Sequence, residues 1–169
     1  MERRALSLGG IFRPGMRGYF IPLVAGVALT ISAFLPWVVV DGVVRKGFPD
    51  VTGLWIAGLG VLSAVLATLS LITRKNSRHP LFVVGLMALG IMFLVWRVVP
   101  RLAGEQALTV SQAIAIVEDA PVASAPTTLV GSGIYVGLVA AAILVGFGLT
   151  IVVRRAAQSY VIAEPDDDT

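Results

Sequence analysis

Cysteine is absent from this chain, and histidine occurs once, at position 79. Without thiols there is no disulfide framework, no thiol nucleophile and no thiolate metal site. One imidazole cannot build a histidine-rich metal centre either. Charge is scarce as well: Asp, Glu, Lys and Arg make up 14% of the residues, against ~25% in an ordinary soluble domain. The most restrictive absence concerns where that charge falls, because no ionisable residue lies well inside any of the long apolar runs. Intramembrane proteases, proton-coupled pumps and carboxylate-lined ion paths need such groups, so those classes are disfavoured.

What the chain does have is apolar sequence: 57% of its 169 residues, gathered into runs at about 19–40, 53–73, 81–99 and 132–153. Each run approaches the ~20 residues that cross ~30 Å of hydrocarbon at 1.5 Å per residue. A soluble helical protein of this size would carry amphipathic stripes instead. The expected fold is therefore all-α, an integral membrane four-helix bundle over residues 19–155. A basic segment (1–18) precedes it, and an acidic tail (156–169), expected to be disordered, follows. A secretory signal is the weaker reading of the N-terminus: the first run is long for a signal, and Ser32-Ala33-Phe34 is a poor cleavage site. Within that run Pro22 sits in the opening turn, while Pro36 is expected to kink or end the helix and leave Trp37 at the interface.

Basic residues orient the bundle. With both termini cytoplasmic, Arg3, Arg4, Arg13, Arg17, Arg74, Lys75, Arg78, Arg154 and Arg155 lie inside, nine in all. Only Arg45, Lys46, Arg97 and Arg101, four in all, lie outside. The positive-inside rule selects this N-in/C-in arrangement in a cytoplasmic (inner) membrane. Trp37, Trp55, Trp96 and Tyr135 then gather near the outer interface, as aromatic residues do. The same topology accounts for the basic pI, so a nucleic-acid partner is not expected.

Small residues mark the packing faces. Gly53, Ala57, Gly60, Ala64 and Ala67 form one stripe on the second span, and Gly133, Gly137 and Ala141 form another on the fourth. Such stripes let helix backbones approach closely. The seven-residue turn Arg74 to Pro80 should make the second and third spans antiparallel neighbours. Residues 100–131 are the one long outer connection. Within it Thr109 to Asp119 can form a short helix on the bundle or in the interface, stopped by Pro121.

Candidate chemistry is sparse. Thr30, Ser32, Ser63, Thr68 and Ser70 are expected to bond to carbonyls one turn back. Asp166, Asp167 and Asp168 lack the fixed oxygen cage that a divalent cation needs, and His79 reads as a surface residue. The glycines of Gly53-x4-Gly58-x-Gly60 lie inside a span and serve packing, not phosphate binding. One constellation remains, at the outer rim: Trp37, Asp41, Trp55, Trp96, Arg97 and Tyr135, with Glu118 and Asp119 in the loop nearby. It reads either as a tie anchoring the outer loop or as a small pocket for an anionic or aromatic ligand. No catalytic, cofactor or metal residues emerge, and an enzyme is not expected.

The stretch Phe34-Leu35-Pro36-Trp37-Val38-Val39-Val40, the short outer hairpin and Thr52-Gly53 resemble small four-span bacterial membrane proteins with a Leu-Pro-Trp end to the first span. In layout the chain is most similar to the tryptophan-operon-associated membrane proteins of actinobacteria, which share the basic second turn, a Trp late in the third span and a long outer loop. The resemblance implies location and architecture. A fainter similarity to claudins, through Trp37 and Gly53-Leu54-Trp55, fails because the paired cysteines expected there are absent. The expected role is a non-enzymatic accessory or scaffold subunit. Its partners would be the lipid bilayer and other membrane subunits or a second copy. The alternative is a small transporter or permease component working as a homo-oligomer.

Overall fold

The computed structural model describes residues 17–73, 78–119 and 126–157. The N-terminal segment through residue 16, most of the basic turn, Pro121 and the acidic tail from residue 158 lie outside the described residues.

A single 3-10 turn, Arg17–Tyr19, leads into α1 (Phe20–Ser32). A hairpin of β1 (Pro36–Val40) and β2 (Val43–Lys46) follows, and then α2 (Val51–Thr73). The 41-residue α3 (Arg78–Glu118) comes next, then β3 (Thr128–Val130) and α4 (Ser132–Ala157). The protein is mostly helical, and α2, α3 and α4 each contain a stretch long and apolar enough to cross a membrane. At 13 residues α1 is apolar but shorter.

The first run thus departs from the expected span over 19–40. Its helix ends at Ser32, and the amides of Ala33, Phe34 and Leu35 tighten onto the carbonyls of Thr30, Ile31 and Ser32 at 3.3, 2.9 and 3.3 Å. Pro36 then enforces the stop: it has no amide of its own, and it disfavours a helical Leu35. Trp37 and three consecutive valines are strand formers. Asp41 and Gly42, at φ 47° and 82°, make the type I′ turn whose twist matches a hairpin. The outer hairpin is therefore a β-hairpin, and β3 joins it to give a sheet ordered β2-β1-β3. All-α becomes helical with a small sheet.

The helices alternate in direction. Gly18 lies against Phe147, and Gly148 against Phe82, at one end. At the other end Gly133 lies against Trp37, and Gly104 against Thr128. The most extensive packing joins α3 to α4 and α1 to α2; α2 and α3, although consecutive, make the least extensive helix contact of the ring. Leu29, Ile56, Leu81, Met92, Ile134 and Leu144 are fully buried between the helices, and Val38 lies beneath the sheet.

The small-residue stripes divide by function. Gly60 on α2 meets Thr30 and the Gly26 carbonyl of α1, and a β-carbon on Gly26 would stand 2.8 Å from the Ala64 amide. This is a backbone-to-backbone crossing, with Ala67 buried further along and Ala57 and Ala64 half-buried. Gly137 receives Met92 and the Ser32 hydroxyl, with Ala141 buried one turn on. Gly53 and Gly133 differ from the helix-packing role expected of them. Gly53 abuts the Gly47 backbone, and Gly133 abuts Trp37 and the Pro36 carbonyl; both seat the hairpin.

The hydroxyls follow expectation. Thr30, Ser63, Thr68 and Ser70 each donate to the carbonyl four residues back, and Ser32 to that of Leu29, over 2.6–3.0 Å.

Candidate functional site: the sheet and the far half of α3

Pro100 does not end the third helix; α3 runs unbroken through it to Glu118. Its missing amide costs one hydrogen bond, but the residues after it (Leu102, Ala103, Gln106, Ala107, Leu108) are mostly good helix formers. The expected separate helix at Thr109 to Asp119 is thus the last third of α3. At 1.5 Å per residue the whole rod is ~62 Å long, about twice a bilayer's hydrocarbon thickness. About half of it stands outside any bilayer it crosses, and the sheet packs against that half.

Trp37 is the keystone of this head. It is 3% exposed, and its indole Nε1 donates to the Ser32 carbonyl at 2.9 Å. The Ser32 carbonyl, which also receives the Leu35 amide, thus takes a second donor at the end of α1, and the indole's one donor is satisfied. The ring lies flat against Gly47 and Gly133, neither of which could carry a side chain. The Phe48 amide also bonds back to the Ala33 carbonyl at 2.8 Å. The amides of Ala33, Phe34 and Leu35 and the carbonyls of Ser32 and Ala33 are thereby all bonded between helix and sheet.

Asp41 ties the far side. Its Oδ1 accepts from the Thr127 amide at 2.9 Å and from the Thr127 hydroxyl at 3.2 Å. Its own amide donates to the Thr127 carbonyl at 3.1 Å. The β1–β2 turn is thus pinned to the entry of β3, 86 residues on.

The residue rows facing α3 follow from the register. Val38 pairs with Arg45 on one side and Val130 on the other, and Val40 pairs with Val43 and Thr128. Thr128 rests on Gly104, so these rows face the helix. α3 packs against β1 and β3. Beside β2 it leaves a cleft of about 800 Å³ between the hairpin and Leu102–Ile114. Val40, Val43, Leu102, Val110 and Ile114 make its apolar walls; Asp41, Arg45, Glu105 and Gln106 stand at its mouth. Arg45 Nη1 reaches Gln106 Oε1 at 3.5 Å, the long limit of a hydrogen bond. All four β2 residues are exposed, and β2 is the open edge of the sheet among the described residues.

The six residues expected to form one outer-rim site do not share a cavity. Trp37 is in the core, and Asp41 borders the head cleft. Trp55, 59% exposed, lies in a shallow groove with Val51, Leu54 and Leu62 on α2. Tyr135 ends an apolar groove of about 650 Å³ between α1 and α4. Trp96 packs on Phe93 with ring centroids 5.9 Å apart, and Arg97 is exposed. Glu118 ends α3 on its exposed side. Of the two earlier readings, the geometry realises a tie, but through Asp41 and Thr127, not Arg97.

No family model, no curated protein and no solved structure matches this chain. The site must be read from its own chemistry. Among the described residues no three His, Asp or Glu side chains gather as metal ligands. The cleft residues that the sequence did not single out as a candidate site are Arg45, Gln106, Val110 and Ile114, with the β2 edge beside them. One signal was present: Asp41-Gly42 between valine runs is a strong hairpin signature.

Proposed function

We propose that this is a non-enzymatic multi-pass membrane protein, an accessory or scaffold subunit of a membrane complex. In this reading the protein crosses a cytoplasmic membrane four times with both termini inside. α1 makes the shortest crossing, and the sheet with the far half of α3 forms an outward-facing head. In support of a crossing by short α1, the amides of Ala33, Phe34 and Leu35 just beyond it are bonded internally, which lowers the cost of a position near the hydrocarbon edge.

The observation that supports the proposal is exposed apolar surface on the half of α3 that this reading sets beyond the bilayer. Ile116 and Val117, near the tip of α3, are 82% and 85% exposed, and Ile114 and Val110 are exposed about one and two turns before Val117. Apolar side chains clustered on a surface beyond the bilayer mark a contact for another macromolecule. The lipid-facing grooves on the bundle need no such explanation.

The cysteine-free sequence allows a direct test. A photo-crosslinking residue at Val117, introduced in native membranes, should give one discrete adduct of higher mass. The same residue at Ile72, exposed on the body, should give none or only lipid adducts. No Val117 adduct, together with a clean monomer on purification in mild detergent, would remove the proposal.

A further inference from the structure

We infer that the head binds an extended peptide segment of a partner protein, added as a fourth strand along β2. The segment places an apolar residue, and two positions away an acidic one, toward α3. This deepens the scaffold reading above and rests on it.

Two independent observations meet at one place. The first is the open edge. Val40 and Val43 flank a two-residue turn and form a bonded pair, so the alternation of an antiparallel ladder makes Val39–Val44 a non-bonded pair. The Val44 amide and carbonyl therefore point outward from the sheet, along an exposed strand. The second is the cleft of about 800 Å³ directly beneath that edge. α3 supports the rows Thr128–Val40–Val43 and Val130–Val38–Arg45, and both rows stop at β2 above an unfilled space. A fourth strand continues each row by one residue.

The register then specifies the side chains. Beside Val43 the next position faces the cleft whose apolar wall Leu102, Val110 and Ile114 supply in turn along α3, which favours an apolar residue. Beside Arg45 the next position meets a guanidinium whose one hydrogen-bond partner among the described residues is an amide oxygen at 3.5 Å. A carboxylate there makes a shorter, charge-assisted bond. Edge pairing of this kind draws affinity from the main chain and selectivity from the alternate side chains.

Other occupants fit less well. The first and last helical segments, Arg17–Tyr19 and the end of α4, lie at the bundle end opposite the sheet. A second copy in the same membrane is related by an axis along the membrane normal. The strands climb away from the bundle beside α3, so antiparallel β2–β2 pairing would need an axis lying in the membrane plane, which inverts one copy.

Selection from a random octapeptide phage library tests this, using the full-length protein in nanodiscs. The expected result is enrichment of sequences with an apolar residue and an acidic residue at i and i+2. Val44→Pro removes the outward amide but no ladder bond, a substitution that edge strands tolerate; it should weaken the selected peptides at least tenfold. Arg45→Glu should invert the selected charge from acidic to basic. No enrichment, peptides that bind Val44→Pro equally well, or an Arg45→Glu selection that stays acidic would each overturn the inference. So would loss of self-association in Val44→Pro, which would assign the edge to a second copy. A Val117 adduct that persists while peptide selection fails would leave the scaffold reading standing and sink only this one.

Discussion

The body and the head of this protein are built on different terms. In the body, apolar side chains fill the space between helices, hydroxyls bond within their own helix, and glycine permits close approach of α1 to α2 and of α3 to α4. Little there depends on a particular hydrogen bond between elements. In the head a sheet of 12 residues (5, 4 and 3 in its strands) is tied to the end of α1 by the Trp37–Ser32 bond and to itself by Asp41–Thr127, and it packs on α3. Apolar side chains there remain exposed. The body is saturated with contacts, whereas the head is rigidly pinned yet open along one edge. That contrast separates a region held by packing from one held by a few hydrogen bonds, and the proposals above assign binding to the second.

The largest test of it strikes the joint between the two. Trp37→Ala should destabilise the protein by roughly 3–5 kcal/mol, as for other buried aromatics. At 2–4 °C per kcal/mol that is about 10 °C, read from the loss of monodisperse protein on heating in detergent. A shift under 3 °C would show that the joint is not structural.

Glycine substitution sharpens the comparison inside the body. Gly60→Leu must push apart the α1–α2 crossing and should cost about 2–3 kcal/mol. Gly58→Leu, two residues away in open space, should change the melting temperature by less than ~2 °C. Equal effects would refute the crossing. In the head, Gly42→Ala should cost about 1 kcal/mol, because φ is +82° there. It should loosen the hairpin without separating the helices, and hydrogen exchange confined to residues 36–46 would confirm this.

Asp41→Ala should have a similar or smaller effect, ~1 kcal/mol, with faster exchange at 126–130. Loss of protection throughout the body would contradict a local tie. The smallest effect belongs to Val117→Lys, expected within ~0.5 kcal/mol of the parent in stability. It should nonetheless reduce adduct formation from a photo-crosslinker placed at Val110. If Val117→Lys unfolds the protein, the exposed apolar tip is structural and the contrast fails.

The body was largely legible from sequence because hydrophobic run length measures what a helix in lipid requires. α2 and α4 begin within two residues of expectation. The head was legible only in fragments. Phe34 to Val40 is as apolar as the helix before it, and hydropathy cannot separate a valine strand from a valine helix. The distinction lay in conformation instead: Pro36 as a stop, β-branched residues after it, and Asp41-Gly42 as a hairpin turn. Pro100 misled in the opposite sense, since one missing amide ends a helix only when nothing beyond it packs, and here the sheet does. Trp37 could be placed at the correct end of the first run, but its burial depends on Gly47 and Gly133, distant in sequence.

Because α3 is unbroken, the head and the opposite end of the bundle are mechanically in series. Residues 101–118, 18 in number, form a lever arm of roughly 27 Å at 1.5 Å per residue. The arm beyond the fulcrum and the arm within the bundle are therefore similar in length. The compliant point is Pro100, where the Trp96 carbonyl has no amide four residues on to receive. A lateral load on the cleft is delivered along this rod to Phe82 and Gly148, so whatever grips the head also has purchase on the far side of the bundle.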